Sequence, residues 1–247
     1  ALRRGLVSEL FATEAAAQRF SDLLSGAPVE LVTERAAKVL SDTVTPVGLV
    51  AVCAMPDPDL GAVLTSKPSL VAVPVGISEP GNAGTLIRVA DAMGADAVVL
   101  AGPSVDPYNG KCLRASAGSI FSVPVVSEPD AVNVVARLKD AGLHILATVL
   151  DGDVSVDDVD GSAPTAWLFG PEAHGLPDDV AALASARVHI PMTGEARDAS
   201  TSPRPRRSAC TRRRAAAVPR RKLPVDSQSG SLPCIRACHP PISDHGP

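Results

Sequence analysis

Two glycine-bounded loops carry polar side chains of the kind that bind a phosphate or a nucleoside. The first, SEPGNAGTLIR (78–88), follows an apolar run, and its glycines let the backbone approach a ligand closely. Asn82 is expected to cap the helix that starts behind it. Arg88, six residues later, is expected to reach back toward a phosphate. Taken alone, the pattern also fits a capped helix with a surface arginine.

The second loop, FGPEAHGLP (169–177), places a carboxylate inside a turn of small residues after another apolar run. Exposed backbone donors in such a turn are typical of a nucleoside site. Glu172 lies where neither burial nor helix capping accounts for a carboxylate. His174, beside Gly175, is either a base or a solvated turn residue, and the second role is the more common one. A further loop, IPMTGEARDAS (190–200), follows the last apolar run.

Apolar runs alternate with helical segments through the middle of the chain. Strands are expected over 70–77, 96–102, 121–126, 143–150, 165–170 and 187–192, and helices over 83–94, 130–142 and 177–185. Nearly continuous apolar strands alternating with helices predict an α/β fold whose parallel sheet is covered on both faces. Ligands bind at the carboxyl ends of the strands in such sheets, and all three loops follow strand ends.

The first 55 residues form a separate pattern of short apolar runs and alanine-rich helical stretches. They predict a small α/β unit in which Thr33 caps a helix. The proline-rich residues 56–68 are expected to be a linker to the larger domain. Because the chain does not begin with Met, the natural start of the first unit is expected to be missing.

Charge and composition change abruptly at Gly194. Up to that residue there are 12 Lys and Arg against 23 Asp and Glu, a net charge of −11. From Glu195 onward there are 11 against 4, a net charge of +7, together with 8 of the 23 prolines. Dense like charge and proline leave little apolar surface to offset chain entropy, so residues 195–247 are expected to be disordered.

Several classes of protein are disfavoured by composition. The chain lacks a run of 18 apolar residues and an apolar leader, so a cytoplasmic protein without a membrane span is expected. Cys53 and Cys112 are isolated and are expected to be buried free thiols. CIRACH (234–239) lacks a second ligand pair at zinc spacing, so no metal is expected. A nicotinamide dehydrogenase is disfavoured because GxGxxG does not follow the first strand.

The motifs together resemble a known family. NAGTLIRVADAMGADAVVL, KCLRASAGSIF, LFGPEAHGLP and IPM.G, in this order, resemble the SpoU group of RNA 2′-O-ribose methyltransferases within the SPOUT superfamily. Residues 5–53 resemble the small ribosomal-protein-like RNA-binding domain of rRNA-modifying members, including the thiostrepton-resistance type. The resemblance implies a SPOUT parallel-sheet domain over 69–194 with a C-terminal trefoil knot. It also implies S-adenosylmethionine as cofactor, RNA as partner, with rRNA favoured over tRNA, and a homodimer.

The resemblance further implies site residues at the matching positions. The catalytic positions are Asn82, Arg88 and Glu172, and the cofactor positions are Thr148, Gly170 and Ile190. RNA or subunit contacts are expected in the segment GKCLRASAGS (110–119), read as a loop, at Lys111, Arg114 and Ser116. Arginine stays protonated far above neutral pH, so Arg88 is expected to clamp the target phosphate and stabilise alkoxide character rather than act as a base. The charge of −11 weighs against generic RNA binding, which depends on clustered Lys and Arg.

The resemblance fails after IPM.G, where the family continues with a Leu-Asn motif and an alanine-rich helix that closes the knot. Here the residues are EARDASTSPRPRRSACTRR, with Ala199 and Ser200 at the Leu and Asn positions. GC-rich codons for 198–213 would encode Arg-Leu-Asn-Val and an alanine run in another frame. We therefore hypothesise a frameshift between Gly194 and Asp198, an incomplete knot, and weak or no cofactor binding. The alternative is a non-catalytic RNA-binding protein with an evolved basic tail.

Overall fold

The computed structural model describes residues 1–41 and 43–191. The strands are β1 (Val7–Ala12), β2 (Glu30–Leu31), β3 (Leu49–Cys53), β4 (Leu70–Pro74), β5 (Ala97–Ala101), β6 (Val125–Glu128), β7 (His144–Thr148), β8 (Val154–Ser155), β9 (Thr165–Phe169) and β10 (Ala186–His189). The α-helices are α1 (Glu14–Arg19), α2 (Ser21–Leu24), α3 (Glu34–Leu40), α4 (Leu60–Thr65), α5 (Pro80–Ala92), α6 (Gly110–Ser116), α7 (Ala131–Asp140) and α8 (Asp178–Ala181). None of these helices is long and apolar enough to cross a membrane.

The larger sheet has the strand order β6-β5-β4-β9-β7-β10-β8, and every neighbouring pair is parallel. Strands β4, β5 and β9 are buried along their whole length. One apolar core lies between the sheet and α4, α7 and α8, and the other lies between the sheet and α5 and α6. The predicted α/β fold with a parallel sheet covered on both faces is therefore confirmed.

The smaller sheet has the order β2-β1-β3, with β1 parallel to β2 and antiparallel to β3. Helices α1, α2 and α3 accompany it, as expected for a small α/β unit. Thr33 begins α3 as predicted, because its Oγ1 accepts a hydrogen bond from the Ala36 N–H at 3.2 Å. Thr13 caps α1 in the same way, at 3.2 Å from the Ala16 nitrogen.

The segment predicted as a linker contains helix α4. Asp59 caps this helix, and Leu60 and Val63 are buried in a core of the larger sheet. The Tyr108 hydroxyl also donates a hydrogen bond to the Pro56 carbonyl. Prolines marked the segment as a connection, but the apolar spacing of Leu60 and Val63 places one helical face against the core.

Several other boundaries differ from the prediction, among them the helix expected over 177–185, which is only Asp178–Ala181, and two further cases. The segment GKCLRASAGS, expected to be a loop, forms α6, because Asn109 Oδ1 accepts the Lys111 N–H at 3.0 Å and caps the helix. The strand expected over 121–126 begins only at Val125, because a 3₁₀ turn occupies Ser119–Phe121. Both errors arise from local capping and turn geometry, which apolar periodicity does not report.

Gly84 sets the close approach of α5 to α6. A Cβ atom at this position would lie 2.4 Å from the Cys112 carbonyl oxygen and 2.9 Å from the Ser116 nitrogen. We expect Gly84→Ala to lower the free energy of unfolding by about 2 kcal/mol, because overpacking outweighs the higher helix propensity of alanine.

The matched control is Gly81→Ala in the same helix. Its Cβ would meet only the flexible ends of Glu79 and Lys111, at 3.2 and 3.6 Å. The free energy of unfolding of this variant is expected to lie within about 1 kcal/mol of that of the parent. Denaturant unfolding of both proteins checks the prediction, and equal stability of the two variants would contradict it.

At the β8 edge of the larger sheet, the segment between β7 and β8 crosses strand β10. Strand β10 lies between β7 and β8, with Val188 opposite both Thr148 and Val154. Residues 149–153 therefore connect β7 to β8 across β10. Gly152 makes this crossing possible, because a Cβ there would lie 2.6 Å from the Val188 carbonyl carbon and the His189 nitrogen.

Candidate active site

The pairing of β4 with β9 brings the two glycine-bounded loops together. These strands are parallel neighbours, and Pro74 lies opposite Phe169 at their carboxyl ends. The Val75 N–H donates to the Phe169 carbonyl at 2.8 Å, which holds the two loops at the same level. Between them lies a cavity of about 300 Å³, lined by Ile77, Ser78, Glu79, Asn82, Leu86, Phe169, Gly170, Pro171, Glu172 and Ala173.

Glu79, and not Asn82, caps helix α5. The Glu79 side chain accepts a hydrogen bond from the Gly81 N–H at 3.2 Å, and Pro80 occupies the first helical position. Asn82 therefore lies inside the first turn and faces the cavity. The predicted capping role of Asn82 is wrong, because proline favours the first helical position and so moves the cap one residue before Pro80.

The second loop is a tight turn that requires glycine at Gly170. A Cβ there would lie 2.3 Å from the Gly175 carbonyl carbon and 2.4 Å from the Leu176 nitrogen. Gly175 has a φ of 69°, and its N–H donates to the Pro171 carbonyl at 2.9 Å. This turn places Glu172 on the wall of the cavity opposite α5. His174 is an exposed turn residue outside the cavity lining.

The residues expected to hold a cofactor lie at the carboxyl ends of three neighbouring strands. Thr148 ends β7, Gly170 follows β9 and Ile190 follows β10, in the strand order β9-β7-β10. Gly170 is buried and borders the cavity, whereas Thr148 and Ile190 do not line it. The Thr148 hydroxyl donates to the Leu168 carbonyl at 2.7 Å, so this hydrogen is already used between the strands.

Arg88 lies apart from the other two expected catalytic residues. It is exposed on α5, six residues beyond Asn82, which corresponds to about 9 Å along a helix axis. Asn82 and Glu172 line the cavity, but Arg88 does not. The structure therefore brings Asn82, Glu172 and Gly170 together and leaves Arg88 on the neighbouring surface.

The residues expected to contact RNA all lie on α6, and the structure separates their environments. Lys111 and Arg114 are exposed, and Lys111 Nζ forms an ion pair with Glu79 Oε1 at 2.6 Å. Ser116 is fully buried, and its hydroxyl donates to the Leu113 carbonyl at 2.8 Å. The RNA or subunit contact expected at Ser116 stays a prediction, and in this structure the side chain has no accessible surface.

Several cavity residues were not singled out in the sequence. Ile77, Leu86 and Phe169 supply an apolar lining, and Ser78 and Glu79 supply polar groups. A signal for Glu79 exists, because an acidic residue directly before Pro-Gly at the start of a helix is typical of an N-cap. The apolar residues carry no such signal, since core residues of a strand and a helix have the same pattern.

The two cysteines of the described residues differ in environment. Cys112 is a buried free thiol, as expected, but Cys53 is only half-buried. Burial, with a smaller effect from Asp106, raises the pKa of Cys112 to about 11. A raised pKa keeps the thiol protonated and unreactive below that pH.

We therefore expect iodoacetamide at pH 8 to modify Cys53 in the native protein and to leave Cys112 unmodified. Mass spectrometry of tryptic peptides measures both sites in one sample. Unfolding the protein before alkylation should make the two cysteines equally reactive, because it removes the burial that raises the Cys112 pKa. Alkylation of native Cys112 at the rate of Cys53 would contradict the prediction.

Within residues 1–41 and 43–191, no group of three or more His, Cys, Asp or Glu side chains could hold a metal ion. The cavity is instead formed by carboxylate, amide and hydroxyl groups together with apolar side chains. Such a lining suits an organic ligand with polar and apolar parts.

Comparisons with known proteins identify the family of this chain. The SpoU rRNA Methylase family model matches residues 69–198. The 23S rRNA (guanosine(2553)-2′-O)-methyltransferase RlmP of Bacillus subtilis is 34% identical over 176 residues, which cover 71% of this chain and 68% of that protein. The 23S rRNA (uridine(2479)-2′-O)-methyltransferase of Streptomyces viridochromogenes is 37% identical over 156 residues, covering 61% and 54%.

Solved structures show the same architecture. The SpoU methyltransferase AviRb from Streptomyces viridochromogenes, in complex with the cofactor AdoMet, has a TM-score of 0.71 at 32% identity. The match covers 88% of this chain and 85% of that one. An AdoMet-bound rRNA methyltransferase from Sinorhizobium meliloti has a TM-score of 0.67 at 27% identity, covering 79% and 75%.

The parallel sheet and its likeness to solved SpoU methyltransferases define an α/β protein with the SpoU methyltransferase fold. The chain belongs to the SpoU rRNA Methylase family. The resemblance of the larger domain to the SpoU group of RNA 2′-O-ribose methyltransferases is thereby confirmed.

Proposed function

We propose that this protein transfers a methyl group from S-adenosylmethionine to a ribose 2′-hydroxyl of RNA, and that the RNA is ribosomal. The observation that carries the proposal is the cavity that Asn82 and Glu172 share, although they come from different loops. The named relatives support the choice of rRNA, since they are 23S rRNA 2′-O-methyltransferases.

The residues present fit S-adenosylmethionine. Phe169 and Leu86 offer apolar surface, and the Glu172 carboxylate suits a positively charged ligand. We propose that Thr148, Gly170 and Ile190 hold the cofactor through the ends of their neighbouring strands. When bound, the cofactor supplies a methyl group on a sulfonium centre, ready for attack by an oxygen nucleophile.

Asn82 and Glu172 would hold the ribose. The Asn82 amide both donates and accepts hydrogen bonds, whereas the Glu172 carboxylate accepts one from the 2′-hydroxyl. Together they fix the direction of the attacking oxygen, which lowers the entropic part of the barrier. The hydroxyl proton leaves to water or to an RNA phosphate. Arg88, on the surface beside the cavity, clamps that phosphate and stabilises negative charge on the oxygen.

Because the residues up to Gly194 carry a net charge of −11, binding of RNA phosphates depends on local clusters of Lys and Arg side chains. Lys111 and Arg114 are exposed on α6, next to the cavity wall formed by α5. The first 55 residues would add a ribosomal-protein-like RNA-binding domain that includes Arg3 and Arg4. We further propose a cytoplasmic homodimer, the arrangement that the family resemblance implies.

The crossing of residues 149–153 over β10 supports a knotted topology at the cofactor end of the sheet. Ala199, Ser200 and residues 195–247 lie outside the described residues, so the fold of the third motif is untested. The family match ends at Asp198, the last residue of the interval from Gly194 to Asp198 in which the frameshift is hypothesised. We propose that loss of the Leu-Asn motif weakens cofactor binding.

Alkaline hydrolysis tests the function. A 2′-O-methyl group removes the hydroxyl that attacks the neighbouring phosphodiester, so a methylated nucleotide leaves an alkali-resistant dinucleotide. Unmodified 23S rRNA and total tRNA are incubated separately with the chain and with S-adenosylmethionine at millimolar concentration. We expect a resistant dinucleotide from rRNA alone. Resistance in tRNA alone would contradict the rRNA assignment, and RNA binding with no resistance in either would favour the non-catalytic alternative.

A further inference from the structure

Glu79 occupies a position where two helices and the cavity meet. Its carboxylate accepts the Gly81 N–H at 3.2 Å, and its backbone carbonyl accepts the N–H groups of Asn82 and Ala83, both at 3.1 Å. The same residue thus receives hydrogen bonds from consecutive amides in the first turn of α5. The start of this helix, and with it the place of Asn82 on the cavity wall, depends on Glu79.

Lys111 holds the Glu79 carboxylate from the neighbouring helix. Its Nζ lies 2.6 Å from the same Oε1 atom that accepts the Gly81 N–H. Lys111 is itself fixed at the start of α6, because its backbone N–H donates to Asn109 Oδ1 at 3.0 Å. Farther along, α5 and α6 are packed at Gly84 too closely to admit a Cβ atom. The first turns of α5 and α6 are therefore joined by an ion pair, and the two helices are also in close contact at Gly84.

The Lys111 side chain is 60% exposed and that of Glu79 is 39% exposed. Ion pairs this accessible contribute little to the free energy of unfolding. A role limited to overall stability therefore does not account for the position of the pair. The effect of the ion pair is local, because it holds the Glu79 carboxylate, which caps α5, in one place beside the cavity.

We propose that Glu79 is a positioning residue for methyl transfer, and that Lys111 holds it in the orientation that places Asn82 against the ribose. The proposal rests on the proposed function for its catalytic consequence, but the structural coupling between Lys111 and the first turn of α5 can be measured without any reaction. It also gives Lys111 a role within the protein, beside the RNA contact proposed for it.

The test combines four variants of the full chain: Glu79→Gln, Lys111→Met, the double variant and Lys111→Arg. Hydrogen exchange of the Gly81 and Asn82 amides is measured first, without cofactor or RNA. We expect both single variants to speed exchange about threefold or more, the double variant to match the faster single variant, and Lys111→Arg to match the parent. Lys139→Met, at an exposed lysine in α7, is the control and should leave these amides unchanged.

Methyl-transfer kinetics form the second arm. We expect Glu79→Gln and Lys111→Met to lower kcat about fivefold with an unchanged KM for S-adenosylmethionine, without additivity in the double variant, and Lys111→Arg to restore kcat. If Lys111→Met raises only the KM for RNA while Glu79→Gln behaves as the parent, the proposal is overturned. Unchanged amide exchange in both single variants also overturns it. If the parent transfers no methyl group at millimolar S-adenosylmethionine, the proposed function fails for the 247-residue chain, and the exchange data decide whether Glu79 and Lys111 position the helix.

Discussion

Replacing Asn82 with alanine is expected to lower kcat for ribose methylation by about 100-fold or more. Asn82 lies in the first turn of α5 and lines the cavity opposite Glu172. Its removal takes away an amide that orients the 2′-hydroxyl, and no other amide side chain lines the cavity within the described part of the chain. Cofactor affinity should change little, since the strand ends expected to hold the cofactor are untouched.

Asn133 offers a matched control for this variant. It occupies the third position of α7, as Asn82 does in α5, and it is exposed. Asn133→Ala should retain the parental kcat. The free energies of unfolding of both variants should lie within about 1 kcal/mol of that of the parent, as expected for substitutions away from the core. Turnover assays on rRNA with calorimetry of cofactor binding separate the effects. An Asn82→Ala protein with parental kcat would exclude the cavity as the site of methyl transfer.

Restoring the third motif is expected to tighten S-adenosylmethionine binding about 100-fold, or about 3 kcal/mol. The restored chain replaces residues 198–213 with Arg-Leu-Asn-Val, five alanines and the remainder of the alternative reading frame. The physical reason is that proline and dense positive charge oppose the helix that the family places here, at a cost of about 3 kcal/mol for a single interior proline. Isothermal calorimetry on the 247-residue chain and the restored chain measures the difference.

A chain that ends at Gly194 identifies the cause. If the missing motif is responsible, the shortened chain should bind as weakly as the 247-residue protein. If the shortened chain binds as tightly as the restored one, the basic segment obstructs the cofactor and the motif itself is dispensable. Near-normal S-adenosylmethionine affinity of the 247-residue chain would contradict the claim that loss of the motif weakens cofactor binding. Sequencing of the gene across codons 190–215 tests directly whether a frameshift is present.

The predictable part of the fold follows from the buried strands. Strands β4, β5 and β9 are buried along their whole length and are apolar except for Thr165, and this nearly continuous pattern by itself indicates a parallel sheet. The sheet in turn predicts that the loops after β4 and β9 lie at one edge. Their direct contact depends on β4 and β9 being neighbours, which apolar patterns do not encode.

The unpredicted part of the site depends on helix starts. The cap of α5 falls on Glu79, three residues before the asparagine expected to provide it, and α6 begins in a segment expected to be a loop. Glu79 and Lys111 are separated by 32 positions, yet their side chains pair at 2.6 Å. Contacts of this kind arise from tertiary packing, so a sequence reveals them only through resemblance or structure.

Arg88 shows the limit of resemblance as well. The family motif groups it with Asn82, but the helix places it on an exposed surface beside the cavity rather than in the lining. Spacing along a helix accounts for this, because six residues advance the chain by about 9 Å. A phosphate clamp at the edge of the site is consistent with that position.

Mass spectrometry of RNA nucleosides tests the central claim most directly. Unmodified 23S rRNA is incubated with S-adenosylmethionine carrying an isotopically labelled methyl group and with the parent chain, the restored chain or its Glu172→Gln variant. We expect a labelled 2′-O-methylnucleoside with the restored chain, less with the parent, and at least about 100-fold slower formation with Glu172→Gln. Label on a base, or equal ribose methylation by the Glu172→Gln variant, would contradict the assignment of the β4–β9 cavity as the methyl-transfer site.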